Sequence, residues 1–367
     1  MKQTIIKSLL FFLCMLFTLE LFIRTTNVAP DYISRDFDRE YSLDMIGNEN
    51  FDKKFYFTYG KLANIKTNIK INNYGWPSFR NYYPKNQRSK NKKCVAIIGD
   101  SYTAGNYINP TESYAYVLDS LMGDDYEVYS FGLNGLNLSS YSDLTRYVNN
   151  NFKPDIYIFN LRESSISKSI SNYGRISQTN QIKIDNNIIT EQKAIPKTPN
   201  IIGRYFLQKT ALLRYLTSNF TIRPKIPLLT KFTEKPNSEK SKEFILKRAV
   251  EYEIQKIKLE ISDLPFLFVH DADRFHIYSS FKDQIPNFYI QENKFRNDSV
   301  PQEIKIWRDL KMFPNFLDLT DDLNFDFSQK KMFFEFSNNL HWNKHGNYVV
   351  GNSIFNHLKN HGFLNFN

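Results

Sequence analysis

The sequence predicts an α/β fold, a three-layer α/β/α domain on about five parallel strands, preceded by an N-terminal membrane helix. Three observations carry this: short continuous apolar runs, amphipathic helical stretches alternating with them, and an apolar run at the start of the chain. Cys94 to Ile98 is apolar throughout and ends at Gly99, which reads as a strand buried on both faces. Tyr114, Val117, Leu118 and Leu121 follow at helical spacing. Tyr126 to Phe131 reads as a second strand, Tyr141 to Val148 as a helix and Ile156 to Phe159 as a third strand. Leu246, Val250, Ile254, Ile257 and Ile261 form one helix face, and Pro265 to Val269 reads as a strand. A helix over Glu303–Lys311, a strand over Phe316–Leu319 and a last helix over Lys344–Leu358 complete the pattern. Strands alternating with helices at this spacing argue for βαβ units and a parallel sheet.

The 367 residues divide into a membrane anchor or signal (1–25), a juxtamembrane or capping segment (26–90) and the α/β domain (91–367), which carries an insertion at about 171–240. Counting from Thr4 to Ile23 gives the roughly 20 residues that a bilayer requires, with Lys7 and Glu20 at its interfaces. No small-x-small cleavage site follows, so an uncleaved anchor is the expectation. Lys2 and Lys7 would hold the short N-terminus in the cytoplasm and place the domain on the exported side.

A hydrophobic fraction of 41% excludes global disorder. The net charge of +10 is dispersed without a Lys/Arg-rich block, so nucleic acid is not an expected partner. The two cysteines, Cys14 and Cys94, give neither a disulfide framework nor metal-ligand spacing.

Gly99-Asp100-Ser101 falls at the carboxyl end of the first buried strand, where open α/β sheets bind ligands. A serine on such a turn supplies a nucleophile, and the neighbouring backbone N–H groups can face an oxyanion. Far along the chain, His341 stands just before the last helix, which Asn343 can cap. A histidine is the usual base for a serine near neutral pH. His270-Asp271-Ala272-Asp273 reads as a solvated loop with a helix cap.

These blocks resemble the SGNH/GDSL hydrolase superfamily, in its membrane-anchored bacterial form. The matching residues are Ile97 to Gly105, Phe131 to Gly135 and Asn338 to Gly346, with Asn72 to Gly75 upstream. The resemblance covers roughly residues 70–165 and 315–360. It implies a flavodoxin-like fold, Ser101 as nucleophile, His341 as base, and the Ser101 and Gly135 amides in the oxyanion hole. The family's third block ends in Gly-x-Asn-Asp, and here Asn160-Leu161-Arg162-Glu163 stands in its place. Arg162 aligns with the oxyanion asparagine, while Asn160 lies on the same side of the strand. Either can serve, and Arg162 can instead grip an anionic group. Asn338 occupies the position of the triad aspartate, leaving a Ser-His dyad or a weakened triad. An Asp-to-Asn change of this kind costs about 10⁴ in turnover in serine proteases.

The resemblance implies an esterase or deacylase acting on acyl or acetyl esters of a cell-envelope glycan or lipid, without a cofactor or metal. Two alternatives share the scaffold: an O-acyltransferase, and a catalytically impaired glycan-binding or assembly protein. Oligomeric state is not legible in the sequence.

Overall fold

The computed structural model describes residues 2–31, 53–89, 92–105, 107–133, 135–162, 169, 173–174, 180–185, 188–193, 195–196, 205–206, 209–220, 239–272, 277–278, 281, 302–309, 315–336 and 339–364. The chain forms two compact units. Unit 1 comprises Met1–Arg39, Phe55–Asn68 and Thr198–Lys235, and unit 2 comprises Glu40–Lys54, Ile69–Lys197 and Pro236–Asn367.

In chain order the main elements are α1 (Lys2–Thr26), β1 (Lys53–Tyr59), β2 (Ile65–Ile71), β3 (Lys93–Gly99), α2 (Ser101–Ala104), α3 (Tyr114–Met122), β4 (Tyr126–Gly132), α4 (Tyr141–Phe152) and β5 (Ile156–Leu161). They continue with β6 (Asn180–Asp185), β7 (Ile188–Lys193), α5 (Ala211–Asn219), α6 (Glu239–Ile261), β8 (Phe266–His270), α7 (Gln302–Asp309), β9 (Phe316–Asp318), α8 (Thr320–Lys330), β10 (Glu335–Phe336), β11 (Asn339–Trp342) and α9 (Lys344–Asn360).

Unit 2 is a doubly wound sheet of five parallel strands in the order β9-β8-β5-β3-β4. Alternation along each strand feeds two cores. Cys94, Ala96 and Ile98 of β3 join Tyr129, Phe131, Tyr157 and Phe159 under α4 and α6. Val95 and Ile97 join Val128, Ile158 and Val269 under α3, α8 and α9. Both faces are covered, which is why β3 is apolar from Cys94 to Ile98 and β8 from Phe266 to Val269.

Each strand expected from the sequence is present, displaced by a residue or two at its ends. Residues 69–89, read as part of a capping segment, belong to unit 2. There Trp76 and Tyr82 are fully buried, Trp76 edge-on to Phe131 and Tyr82 stacked on Tyr129. The insertion divides between the units. Its first part pairs β6 with β7 as an antiparallel hairpin in unit 2, and its second part, containing α5, belongs to unit 1.

In unit 1, α1 is long and apolar enough to cross a membrane. Most of its side chains are exposed, while Leu16, Glu20 and Ile23 form a buried or half-buried stripe. Ile23 packs with Ala29 and Ala211.

Glu253 on α6 is fully buried, and both carboxylate oxygens lack a hydrogen-bond partner among the described residues. Lys256 lies 3.8 Å away but makes its closer ion pair, at 2.6 Å, with Glu191 of β7. Burial pushes the Glu253 carboxyl up to about 8, with Lys256 pulling weakly the other way. The folded chain therefore holds a proton that the unfolded chain releases above the ordinary value of 4.5. Stability from this group is complete below that value and falls as pH rises to about 8, by at most about 1.4 kcal/mol per unit. Glu253→Gln should remove this slope, so its gain in Tm over the wild type should widen between about pH 5 and 8 in thermal unfolding.

Candidate active site

The strand order reverses at β3 and β5, because the chain leaves β3 for β4 on one side and returns to β5 on the other. Open sheets of this kind bind ligands in the crevice beyond the carboxyl ends of such a pair. Asp100 and Ser101 follow β3, Asn160 and Leu161 end β5 and Arg162 follows it, so the two motifs flank this crevice.

Ser101 opens the short helix α2. Asp100 precedes it as N-cap, accepting from the Tyr102 amide at 3.0 Å, and Gly105 closes it at φ 62°. The turn is held from below. Ser130 Oγ donates to the Thr103 carbonyl at 2.8 Å, and the Leu133 amide donates to the Gly99 carbonyl at 3.1 Å. Thr103 Oγ1 and the Tyr114 hydroxyl lie 2.7 Å apart in the core. Burial pushes the Tyr114 phenol well above its usual value, so it stays protonated and able to donate.

His341 arrives from 240 residues away on β11, which pairs antiparallel with β10. Its Nε2 lies 2.7 Å from Ser101 Oγ, and both residues are half-buried. With Nε2 unprotonated, the serine hydroxyl donates to it. Asn343 caps α9 by accepting from the Gly346 amide at 3.0 Å, as the sequence predicts, and its Nδ2 donates to the Phe333 and Glu335 carbonyls. Asn347 accepts from the Tyr114 amide at 2.9 Å and donates to the Trp342 and Asn343 carbonyls. The two halves of the site are thus tied through α3 as well as through the Ser-His contact.

The imidazole is gripped by rings. Tyr102 stacks on it at 4.7 Å between centroids, and Tyr107 packs on it at 4.3 Å. Trp342 meets Tyr102 edge-on at 4.9 Å. A small cavity beside the pair is lined by Ser101, Tyr107, Ile108 and His341. Sequence reading passed over Tyr107 and Asn347. Their only signal was position, one just after the serine block and the other just after the histidine block.

The other expected residues are placed as follows. Arg162 is partly exposed, with Nη1 3.8 Å from Asp100 Oδ2 and its guanidinium over the Tyr102 ring at 5.1 Å. Asn160 is buried directly behind the serine turn, where its Cβ would stand 3.1 Å from a Cβ on Gly99. Its side-chain amide has no hydrogen-bond partner among the described residues, and its carbonyl accepts from the Tyr141 hydroxyl at 2.5 Å. Gly135 sits exposed in the turn after β4 at φ 72°. Asn338 lies outside the described residues. His270 is buried at the end of β8, its Nδ1 accepting from the Ala272 amide at 3.3 Å and 3.9 Å from Asp318.

No family model matches the chain. No curated protein matches it either. Solved structures do match. One is a carbohydrate acetylesterase family member from Sinorhizobium meliloti, at 12% identity over 74% of this chain and 100% of that one, TM-score 0.36. Another is an aryl esterase from M. Smegmatis in its inhibitor-bound form, at 10% identity over 73% of this chain and 99% of that one, TM-score 0.37. A third is the acetyl xylan esterase Est2A from the rumen bacterium Butyrivibrio proteoclasticus, at 10% identity over 74% of this chain and 65% of that one, TM-score 0.33. All three bear the names of ester-cleaving proteins. At such identities and scores the likeness carries no argument about this chain's own chemistry.

Gly132 permits the close approach of β4 to α2: a Cβ there would lie 2.1 Å from the Ala104 backbone nitrogen. Gly132→Ala must therefore displace the serine helix. Thermal unfolding should show a loss of about 1–3 kcal/mol.

Proposed function

We propose that the chain is a membrane-anchored serine esterase or deacylase of the SGNH type. The observation that carries this reading is the 2.7 Å contact between His341 Nε2 and Ser101 Oγ, at the sheet's reversal of order. In this reading Ser101 Oγ attacks an ester carbonyl while His341 Nε2 takes its proton. The collapsing intermediate expels the alcohol, which receives that proton from His341. Water, deprotonated by the same imidazole, then releases the acyl group as its acid.

The oxyanion needs donors aimed at the carbonyl oxygen as it gains charge. The Ser101 and Gly135 amides are assigned to this role. Arg162 joins them at the crevice mouth in preference to Asn160, because Arg162 is partly exposed beside Asp100 and Asn160 is buried behind the turn. Asn338 is assigned as the residue that orients the imidazole. It carries no charge, so the ring faces of Tyr102 and Tyr107 take over part of the stabilisation of the imidazolium.

The cavity beside Ser101 is small, which favours a short acyl group over a long one. With α1 as an uncleaved anchor, the substrate is an acylated glycan or lipid of the cell envelope. No observation favours acyl transfer over hydrolysis.

A fluorophosphonate probe should label Ser101 stoichiometrically in the folded chain, and Ser101→Ala should abolish both labelling and hydrolysis of a short-chain nitrophenyl ester. Full hydrolysis by Ser101→Ala would sink the assignment. Tyr107→Leu should lower kcat/KM by removing one of the rings that hold the imidazole, and Tyr107→Phe, which keeps the ring, should lose less, as read from ester hydrolysis with Tm measured alongside.

A further inference from the structure

We propose that unit 1 holds a second membrane contact: α5 and the apolar residues at its two ends seat in the headgroup–acyl boundary of the bilayer beside the exit of α1. The proposal rests on the anchor reading of α1, and the argument begins with Glu20.

Glu20 lies inside the apolar helix, six residues before its last residue, Thr26. At 1.5 Å per residue that is about 9 Å from the helix end. An unpaired carboxylate at that depth would be costly. Here it is fully engaged. The amides of Ala211 and Leu212, the first two residues of α5, donate to its two oxygens at 2.9 and 2.7 Å. Arg24, one turn further on, donates from Nε to Glu20 at 2.7 Å and from its guanidinium to the Lys209 carbonyl. The acid that interrupts the apolar run thus caps the N-terminus of another helix, satisfying two of the orphan N–H groups of α5.

This contact sets the depth of the amino-terminal end of α5. Its first turn stands level with Glu20, in the zone where interfacial helices bury an apolar face about 5–10 Å into the boundary. The residues around it suit that zone. Tyr205 and Phe206 precede α5, with the Phe206 carbonyl accepting from the Thr210 amide, and Phe220 follows it. Leu62 joins at the far end, its amide donating to Asn219 Oδ1 at 3.0 Å. Leu62, Tyr205, Phe206 and Phe220 are each more than half exposed. Aromatic rings are enriched at this level of a bilayer, and the exposed Lys209 beside them can meet an anionic headgroup. Continuity with α1 identifies the occupant as lipid in preference to a second protein.

The test uses the full chain in vesicles of phosphatidylcholine and phosphatidylglycerol, part of the former carrying bromine on its acyl chains. Phe220→Trp is the reporter on the patch. Tyr83→Trp, at an exposed position in unit 2, is the control. The three native tryptophans are buried in unit 2 and form a common background. Brominated lipid should quench about half of the emission that the reporter substitution adds and almost none of the emission that the control substitution adds. Glu20→Leu keeps α1 apolar, so the chain should still float with the vesicles while quenching of the reporter falls to the control level. Equal quenching of reporter and control in vesicle-bound chain overturns the second contact and leaves the anchor standing. Reporter quenching unchanged by Glu20→Leu overturns the tether, and a chain that does not float with the vesicles overturns the anchor and the proposal together.

Discussion

The reversal of strand order between β3 and β5 is the constraint on which the candidate site depends. Two parallel strands that send their chains in opposite directions leave a gap above their carboxyl ends. Ser101 and Arg162 stand on its two sides because each follows directly on one of those strands. Gly99 and Gly132, paired across β3 and β4, let α2 lie tightly against the sheet. The serine's position is therefore set by backbone packing, with its own side chain left to meet His341.

His341 is held differently. Its strand is short and belongs to a separate two-stranded sheet, so it depends on cross-links. Asn343 and Asn347 provide them through amides that each accept and donate, binding the turn to Phe333, Glu335 and Tyr114. The rings of Tyr102 and Tyr107 then restrict how the imidazole can turn. Buried networks of this kind give one defined geometry when every member is satisfied. Asn160 is an exception in this neighbourhood, with a buried side-chain amide that no described residue pairs.

The sheet was legible because burial on both faces leaves a plain mark, a short apolar run. Each of the five expected runs overlaps a strand of the sheet, with Pro265 and Leu319 falling just outside. The serine and histidine were legible as a pair only through their combined resemblance, since Gly-Asp-Ser alone is a common turn. Trp76 and Tyr82 were not legible as core: they are lone aromatics without period, and their burial comes from contacts with Phe131 and Tyr129, far along the chain. The insertion read as one piece because it is polar with several prolines and only two lone apolar clusters, Ile201 to Phe206 and Ala211 to Leu216. Its two parts differ in where they pack, which composition does not encode. Glu20 was read as an interfacial charge, and its engagement with residues 211 and 212 has no local signature.

That last contact also orders events in time. The Glu20 carboxylate reaches partners 191 and 192 residues later in the chain. Everything from β3 to β7 lies between them. As the chain emerges from its N-terminus, α1 and three strands of the central sheet are made before the two amides that complete the first unit exist. Unit 1 therefore closes only once the segment carrying α5 has been made, and the entropy of closing so long a loop falls on a handful of contacts between distant segments.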